Sequence, residues 1–302
     1  MKIGFIGIGN IGSHMARNVL ASGEHEMRVF DISRDAMAAL VDDGATAAAS
    51  PRDAAVGADI VFTSLPGPAD VLEVALGEAG ILDALEPGSV YVDLSTVSPQ
   101  TLQTVAEAAS ARSVEVLDCP VSGGVIGAEA ATLCLMAGGD RETFDRIKPV
   151  LDLIGEPEKV LHCGDVGAGS VCKLVNNLVG LSTGVLLAEA FSMGLAAKVD
   201  PGILYRVLMG STGASGTLAQ WDESVLAGNF EPGFALTLGA KDVRLATDLA
   251  RSLGIPMEMA NLADQKYTEA LNAGLGPEAS AAVVKLQERR TDINIRYVEK
   301  QG

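Results

Sequence analysis

Lys173 stands at the head of a stretch that is largely apolar from Leu174 to Ala197, and Asn177 interrupts it. Four positions apart on a helix, the two side chains share one face. Gly164, Gly167 and Gly169, just upstream, let another backbone or a cofactor come close. A lysine buried in such surroundings is costly unless it is paired or deprotonated, which suits it to general acid or base work. The pattern alone also allows a lysine that runs its ammonium out to solvent from the helix start. A second cluster, Asp118-Cys119-Pro120-Val121-Ser122-Gly123-Gly124, follows an apolar, strand-like run. Successive backbone N–H groups at Ser122, Gly123 and Gly124 can form a nest for a carboxylate, although an ordinary glycine-rich turn has the same composition.

The third cluster is Gly7-Ile8-Gly9-Asn10-Ile11-Gly12, between an apolar run and a helix pattern. In that context Gly7 permits a tight turn, Gly9 admits a pyrophosphate to the backbone, and Gly12 lets the helix pack close to a sheet. Asn10 and Ile11 lie in the same loop, and the helix start behind them presents N–H groups and a positive dipole end to phosphates. Asp31 follows the next strand-like run, nineteen positions after Gly12. A carboxylate there would bind the adenosine ribose hydroxyls and repel a 2′-phosphate, favouring NAD over NADP. Arg34 works in the opposite direction, and Asp31 as a plain turn residue is the alternative.

The elements that must hold these clusters change character midway. Ile3–Ile6, Met27–Phe30, Ile60–Leu65, Val90–Leu94 and Val114–Leu117 are short apolar runs suited to strands buried on both faces. Helix signals lie between them, such as Ser98-Pro99 leading into Thr101–Ala111 and Asp140 capping a helix toward Ile154. Lys159–Cys163 could be a last strand. Repeated strand–helix units predict a mainly parallel sheet with helices on both faces. After Gly164 only helical patterns continue, with Asp200-Pro201 opening one helix and Lys241–Arg251, stopped by Gly254-Ile255-Pro256, forming another. The expectation is an α/β chain: a Rossmann-type dinucleotide-binding domain over 1–164, then an all-α domain over 165–302, joined by a long helix from about Gly169.

Composition excludes several classes. Hydrophobic residues make up 48% and charged ones 20%, enough for a sizeable core and against disorder. A formal charge of −17 disfavours nucleic acid and anionic membranes as partners. Cys119, Cys134, Cys163 and Cys172 form no CxxC pair and read as core thiols of a reducing cytosol, so the protein is expected to be cytoplasmic. The opening Met1–Gly7 is too short and glycine-rich for a signal peptide. The apolar stretch after Leu174 carries Asn176, Asn177 and Glu189, which favours a buried helix over a membrane span. His14, His25 and His162 pair with no cysteine or carboxylate at ligand spacing, so no metal is expected. Gly180-Leu181-Ser182-Thr183-Gly184 matches the hydrolase nucleophile pattern by letters but falls within the long helix.

Taken in order, Gly7–Gly12, Asp93-Leu94-Ser95-Thr96-Val97-Ser98-Pro99, Asp118–Gly124, Gly164–Asn177 and Lys241-Asp242 resemble the β-hydroxyacid dehydrogenase family over nearly the whole chain. That family includes 3-hydroxyisobutyrate dehydrogenases and tartronate semialdehyde reductases. The resemblance implies Lys173 as general acid/base, with Ser122, Gly123, Gly124 and Asn177 holding the substrate. It implies Ser64, Leu65 and Pro66 lining the cofactor groove, Thr96 at its nicotinamide end, and Lys241 closing the site from the second domain. Cys119 stands where the family often has alanine, and Ala131-Thr132 replaces a common Gly-Thr. The Asn176-Asn177 pair looks more like 3-hydroxyisobutyrate dehydrogenases than tartronate semialdehyde reductases.

The implied reaction moves hydride between NAD and a small 3-hydroxy acid or its semialdehyde, with Lys173 taking or returning the hydroxyl proton. Lysine ordinarily titrates near ~10.4, so burial and neighbouring positive charge would have to favour its neutral form. A small carboxylate substrate is expected, its tail facing side chains from Gly210–Trp221 and Phe234. Three other readings stay open: a tartronate semialdehyde reductase, an imine reductase (against which Lys173 argues), and a catalytically silent NAD-binding protein. A helix from Gly169 to roughly Ala196 would span about 42 Å at 1.5 Å per residue. Its apolar faces exceed what one chain is expected to cover, so a homodimer or homotetramer is anticipated.

Overall fold

The computed structural model describes residues 1–297. Its strands are β1 (Lys2–Ile6), β2 (Glu26–Phe30), β3 (Thr46–Ala47), β4 (Ile60–Thr63), β5 (Val90–Asp93), β6 (Glu115–Asp118), β7 (Val121–Ser122), β8 (Leu133–Gly138) and β9 (Gly155–Gly164). Between and after them run α1 (Gly12–Ala21), α2 (Arg34–Asp42), α3 (Pro51–Ala55), α4 (Pro68–Leu76), α5 (Pro99–Ser110), α6 (Gly124–Glu129) and α7 (Arg141–Leu151). Helices alone continue the chain: α8 (Ala168–Ala196), α9 (Pro201–Met209), α10 (Gly216–Gln220), α11 (Leu236–Ser252), α12 (Glu258–Asn272) and α13 (Val284–Thr291), apart from short 3₁₀ turns. The chain divides into two compact units, Met1–Lys173 and Leu174 onward, the division falling inside α8.

In the first unit the strands lie in the order β3-β2-β1-β4-β5-β6-β8-β7, with β9 beside β8. All pairings from β3 through to β6 are parallel. The order reverses between β1 and β4, the switch point at which dinucleotides bind in doubly wound sheets. Alternate residues feed two separate cores. Ile3, Phe5, Ile60, Phe62, Val90, Val92 and Leu117 face one layer of helices. Ile6, Val61, Tyr91 and Val116 face the other. Burial on both faces is why these strands read as unbroken apolar runs. β8, which has no β-branched residue to mark it in the sequence, pairs antiparallel to β6 and β7 and parallel to β9.

Helix starts are set locally. Ser33, Ser50, Ser98, Asp140, Asp200 and Ser215 each accept a hydrogen bond from the backbone N–H three residues on. Each such cap contributes about 1 kcal/mol. α8 has no cap of this kind on its own chain segment, because glycines precede it.

The second unit has two cores of its own. Leu181, Leu236, Ala240, Val243, Tyr267 and Val283 form one. Leu187, Phe191, Trp221, Val225, Val284 and Ile295 form the other, with Phe191 and Trp221 ring centroids 5.2 Å apart. Trp221 is thus committed to packing rather than turned toward a substrate tail. Glu288 accepts from the Ile295 backbone N–H at 2.8 Å and from Arg296 at 2.6 Å, while Lys285 and Arg296 both lie over the Phe230 ring. Among the described residues α8 is the one helix long and apolar enough to cross a membrane. Its Leu181, Leu187, Ala188 and Phe191 are nonetheless built into the two cores, whereas Val175, Val179, Leu186 and Met193 are exposed.

Close approach governs the first unit. A Cβ on Gly169 would stand 2.0 Å from the Met136 carbonyl oxygen and 2.6 Å from that of Asp118, both backbone atoms. Gly169→Ala should therefore cost roughly 1–3 kcal/mol of stability. Gly233→Ala, where nothing lies within 4 Å, should stay within about 0.5 kcal/mol. Urea denaturation of the two variants beside the parent protein checks the contrast.

Candidate active site

The carboxyl ends of the parallel strands carry the predicted cofactor-side residues of the first unit. Gly7 turns out of β1 with φ +84°, and its N–H donates to the Phe30 carbonyl at 2.9 Å. A Cβ there would meet the Ser64 carbonyl oxygen at 2.3 Å, so the glycine loop lies directly on the turn after β4. A Cβ on Gly12 would stand 2.1 Å from the Gly7 carbonyl, which closes the first turn of α1 onto the loop. Gly9 differs: a Cβ there would meet nothing within 4 Å. Gly9 and Asn10 are exposed, Ile11 is half-buried, and α1 starts with neither a side-chain cap nor an acid in its first turn. Tight backbone packing below and open space above fit a cradle for a pyrophosphate.

Asp31, just past β2, has both carboxylate oxygens engaged. One accepts from the Ile8 N–H at 2.8 Å and the other from the Ser33 N–H at 2.8 Å. It ties the glycine loop to the end of β2, a role that spacing alone did not reveal. Ile32, Ser33 and Arg34 beside it are exposed.

A buried polar network holds the next two loops together. Asp93, fully buried at the end of β5, accepts from Thr63 Oγ1 and from Ser95 Oγ, both at 2.6 Å. Thr63 also pairs with the Tyr91 hydroxyl at 2.8 Å, and Ser95 Oγ accepts the Leu65 N–H at 2.8 Å. Burial, then the neighbouring Asp93 charge, pushes the Tyr91 phenol well above its usual range. The network clamps Ser64-Leu65-Pro66 to the segment bearing half-buried Thr96.

At the end of β6, Asp118 is fully buried. Its Oδ1 accepts from the Gly167 N–H at 2.7 Å and its Oδ2 from the Ser170 N–H at 2.6 Å. Burial pushes its carboxyl up to about 6, against the pull of those two hydrogen bonds. Ser122 closes β7, and Gly123 and Gly124 follow with φ +142° and +65°, a conformation open to glycine. Lys173, one turn beyond Ser170 on α8, is only 8% exposed.

Asn177 and Lys241 belong to the second unit. Asn177 Nδ2 donates to Asp242 Oδ2 at 2.6 Å, and Lys241 Nζ lies 2.8 Å from Asp242 Oδ1. Asp242 is 1% exposed, so a buried carboxylate sets the Asn177 amide orientation. Asn177 and Lys241 are legible in the sequence, whereas the tasks of Asp242, Asp93 and Asp118 appear only in the structure. The signal available was an acid at a strand end or beside a lysine, too common to act on.

Two family models cover most of the chain. The NAD-binding domain of 6-phosphogluconate dehydrogenase matches residues 2–166, and the NAD-binding domain of NADP-dependent 3-hydroxyisobutyrate dehydrogenase matches 167–287. The 2-(hydroxymethyl)glutarate dehydrogenase of Eubacterium barkeri is 37% identical over 296 residues, 98% of this chain and 97% of that protein. The 3-hydroxyisobutyrate dehydrogenase of Pseudomonas aeruginosa is 36% identical over 276 residues, 88% of this chain and 91% of its own length. The crystal structure of a 3-hydroxyisobutyrate dehydrogenase from Salmonella typhimurium superposes with a TM-score of 0.84 at 32% identity, covering 95% of this chain and 99% of that one. A nicotinamide dinucleotide is therefore the cofactor of this chain.

The tie from Asp31 to the glycine loop has a measurable consequence. Asp31→Ala removes the charged acceptor of the Ile8 N–H, so nicotinamide dinucleotide affinity should fall about tenfold or more. Calorimetric titration with NAD and with NADP checks this, and unchanged dissociation constants for both would contradict it.

Proposed function

The chain belongs to the β-hydroxyacid dehydrogenase family, and on that premise we propose that it is an NAD-dependent dehydrogenase of small 3-hydroxy acids with Lys173 as general acid/base. As a member it is an oxidoreductase acting on CH–OH with a nicotinamide dinucleotide, which when bound accepts or returns the hydride. The observation that carries the finer reading is the burial of Lys173 on the first turns of α8. Its place there, four positions before Asn177 on the same face, suits the side chain to take the hydroxyl proton in oxidation. In reduction the same group returns that proton to the oxygen.

The preference for NAD rests on the Asp31 carboxylate at the end of β2. The N–H groups of Ser122, Gly123 and Gly124 would bind the substrate carboxylate, and the Asn177 amide, held by Asp242, would hydrogen-bond the substrate one helical turn from Lys173. The substrates named for the Eubacterium and Pseudomonas relatives share one unit, a primary alcohol one carbon from a carboxylate-bearing carbon. They differ in the substituent on that carbon, which supports a substrate of the form HOCH2–CH(R)–COO⁻ with R undecided.

A panel of such acids and their semialdehydes, followed by NADH absorbance, tests the activity. NAD binding without turnover on any of them would favour a silent dinucleotide-binding protein instead. Lys173→Ala should lower kcat by about 10²–10⁴-fold with little change in NAD affinity. Near-normal turnover in that variant would remove the lysine from the mechanism.

Assembly as a homodimer or homotetramer belongs to the same proposal. Val175, Val179, Leu186 and Met193 leave an exposed apolar stripe along α8, and a second copy is the economical cover. Light scattering at micromolar concentration should give a multiple of the chain mass; the mass of one chain would refute the assignment.

A further inference from the structure

Asp118 exchanges no proton or hydride in the scheme above, yet its carboxylate joins the two parts of the first unit that the scheme depends on. The start of α8 lacks a Ser, Thr, Asp or Asn cap, because Gly167 occupies that place and cannot supply one. Two N–H groups at that start are met from a strand end instead. Asp118, 49 and 52 residues earlier in the chain, accepts from Gly167 and Ser170 with one oxygen each. A Cβ on Gly138 would stand 2.4 Å from Asp118 Oδ1, and a Cβ on Gly169 would stand 2.0 Å from the Met136 carbonyl oxygen. The helix start is therefore drawn onto the ends of β6 and β8 with no slack. Ser170 is 1% exposed, and Lys173 follows three positions later, on the same side of the helix. In the other direction, the chain leaves Asp118 through Cys119 and Pro120 to reach Ser122, Gly123 and Gly124 within a few residues.

A buried carboxylate is an expensive cap. Burial pushes its carboxyl up despite its two backbone hydrogen bonds, whereas a serine at the helix start would cap at lower desolvation cost. Stability alone does not account for an aspartate here, but geometry does. A cap on the helix itself would satisfy the N–H groups while leaving the helix free to shift against the sheet. A cap rooted in β6 sets where the helix begins. We propose that Asp118 is a positioning residue, which fixes the first turn of α8 against the end of β6 and so sets Lys173 at its working distance from the Ser122–Gly124 turn. This inference rests on the reading of Lys173 as general acid/base.

The test is a double-mutant cycle on the full chain. Asp118→Asn keeps the shape but turns an amide NH2 toward one of the two N–H donors. With whichever of 3-hydroxyisobutyrate or 2-(hydroxymethyl)glutarate the parent enzyme oxidises faster, kcat should fall roughly 10- to 100-fold. The NAD dissociation constant should stay within about twofold, because the glycine cradle is untouched. Added to Lys173→Ala, Asp118→Asn should cause little further loss, since a misplaced lysine and an absent one fail at the same step. Amide exchange at Gly167 and Ser170 should quicken about tenfold in Asp118→Asn, a readout that needs no substrate. Asp118→Ser, with a single acceptor, gives the same comparisons if the asparagine variant does not fold. Losses that multiply in the double variant, a kcat unchanged by Asp118→Asn, or unaltered amide exchange would each overturn the proposal. Full turnover in Lys173→Ala alone would instead overturn the lysine assignment, leaving the exchange measurement to judge the cap.

Discussion

Where Gly7 meets Ser64, Gly12 meets Gly7, and Gly169 meets Met136, polypeptide backbone packs on backbone at separations that a single methyl group would violate. Each contact brings a loop or helix start at the carboxyl edge of the sheet against its neighbour. None is an apolar contact in the ordinary sense, and burial area alone would never select them. They matter because they set distances. The glycine loop, the turn after β4 and the start of α8 are held to within the thickness of a peptide bond.

Over that frame lies a second layer of control, made of buried carboxylates. Asp93 ties the turn after β4 to the segment after β5, Asp118 ties β6 to α8, and Asp242 fixes an amide on α8 in the second unit. A buried carboxylate is a poor source of stability but a good source of specificity, since it accepts strongly only where donors stand in the right places. Asp31 extends the pattern to the glycine loop, where one side chain ties that loop to the turn after β2.

The parts of this arrangement that can be read from sequence are the local ones. β1, β2, β4 and β5 announce themselves as apolar runs, and serine or aspartate caps mark the starts of α5, α7 and α9. β8 escapes because it ends in Ala137 and Gly138, which favour strands weakly, and lacks the β-branched residues that mark the other strands. β3 and β7 are two residues long, below any periodic signal. The glycine loop was legible because its spacing is compact, and Lys173 because a charge in an apolar helix is conspicuous. The tasks of Asp93, Asp118 and Asp242 were not. Their partners lie 30, 49 and 65 residues away, and only the folded topology brings them together.

One unbroken helix carries both Lys173 and Asn177. The spacing between the two side chains is therefore a matter of pitch: four residues advance the axis by about 6 Å and turn it through a little more than one revolution. Substitution within this stretch leaves that vector intact, whereas inserting or deleting a single residue would swing Asn177 through about 100°. A change of length between the two positions therefore alters their relative placement far more than a change of side chain does.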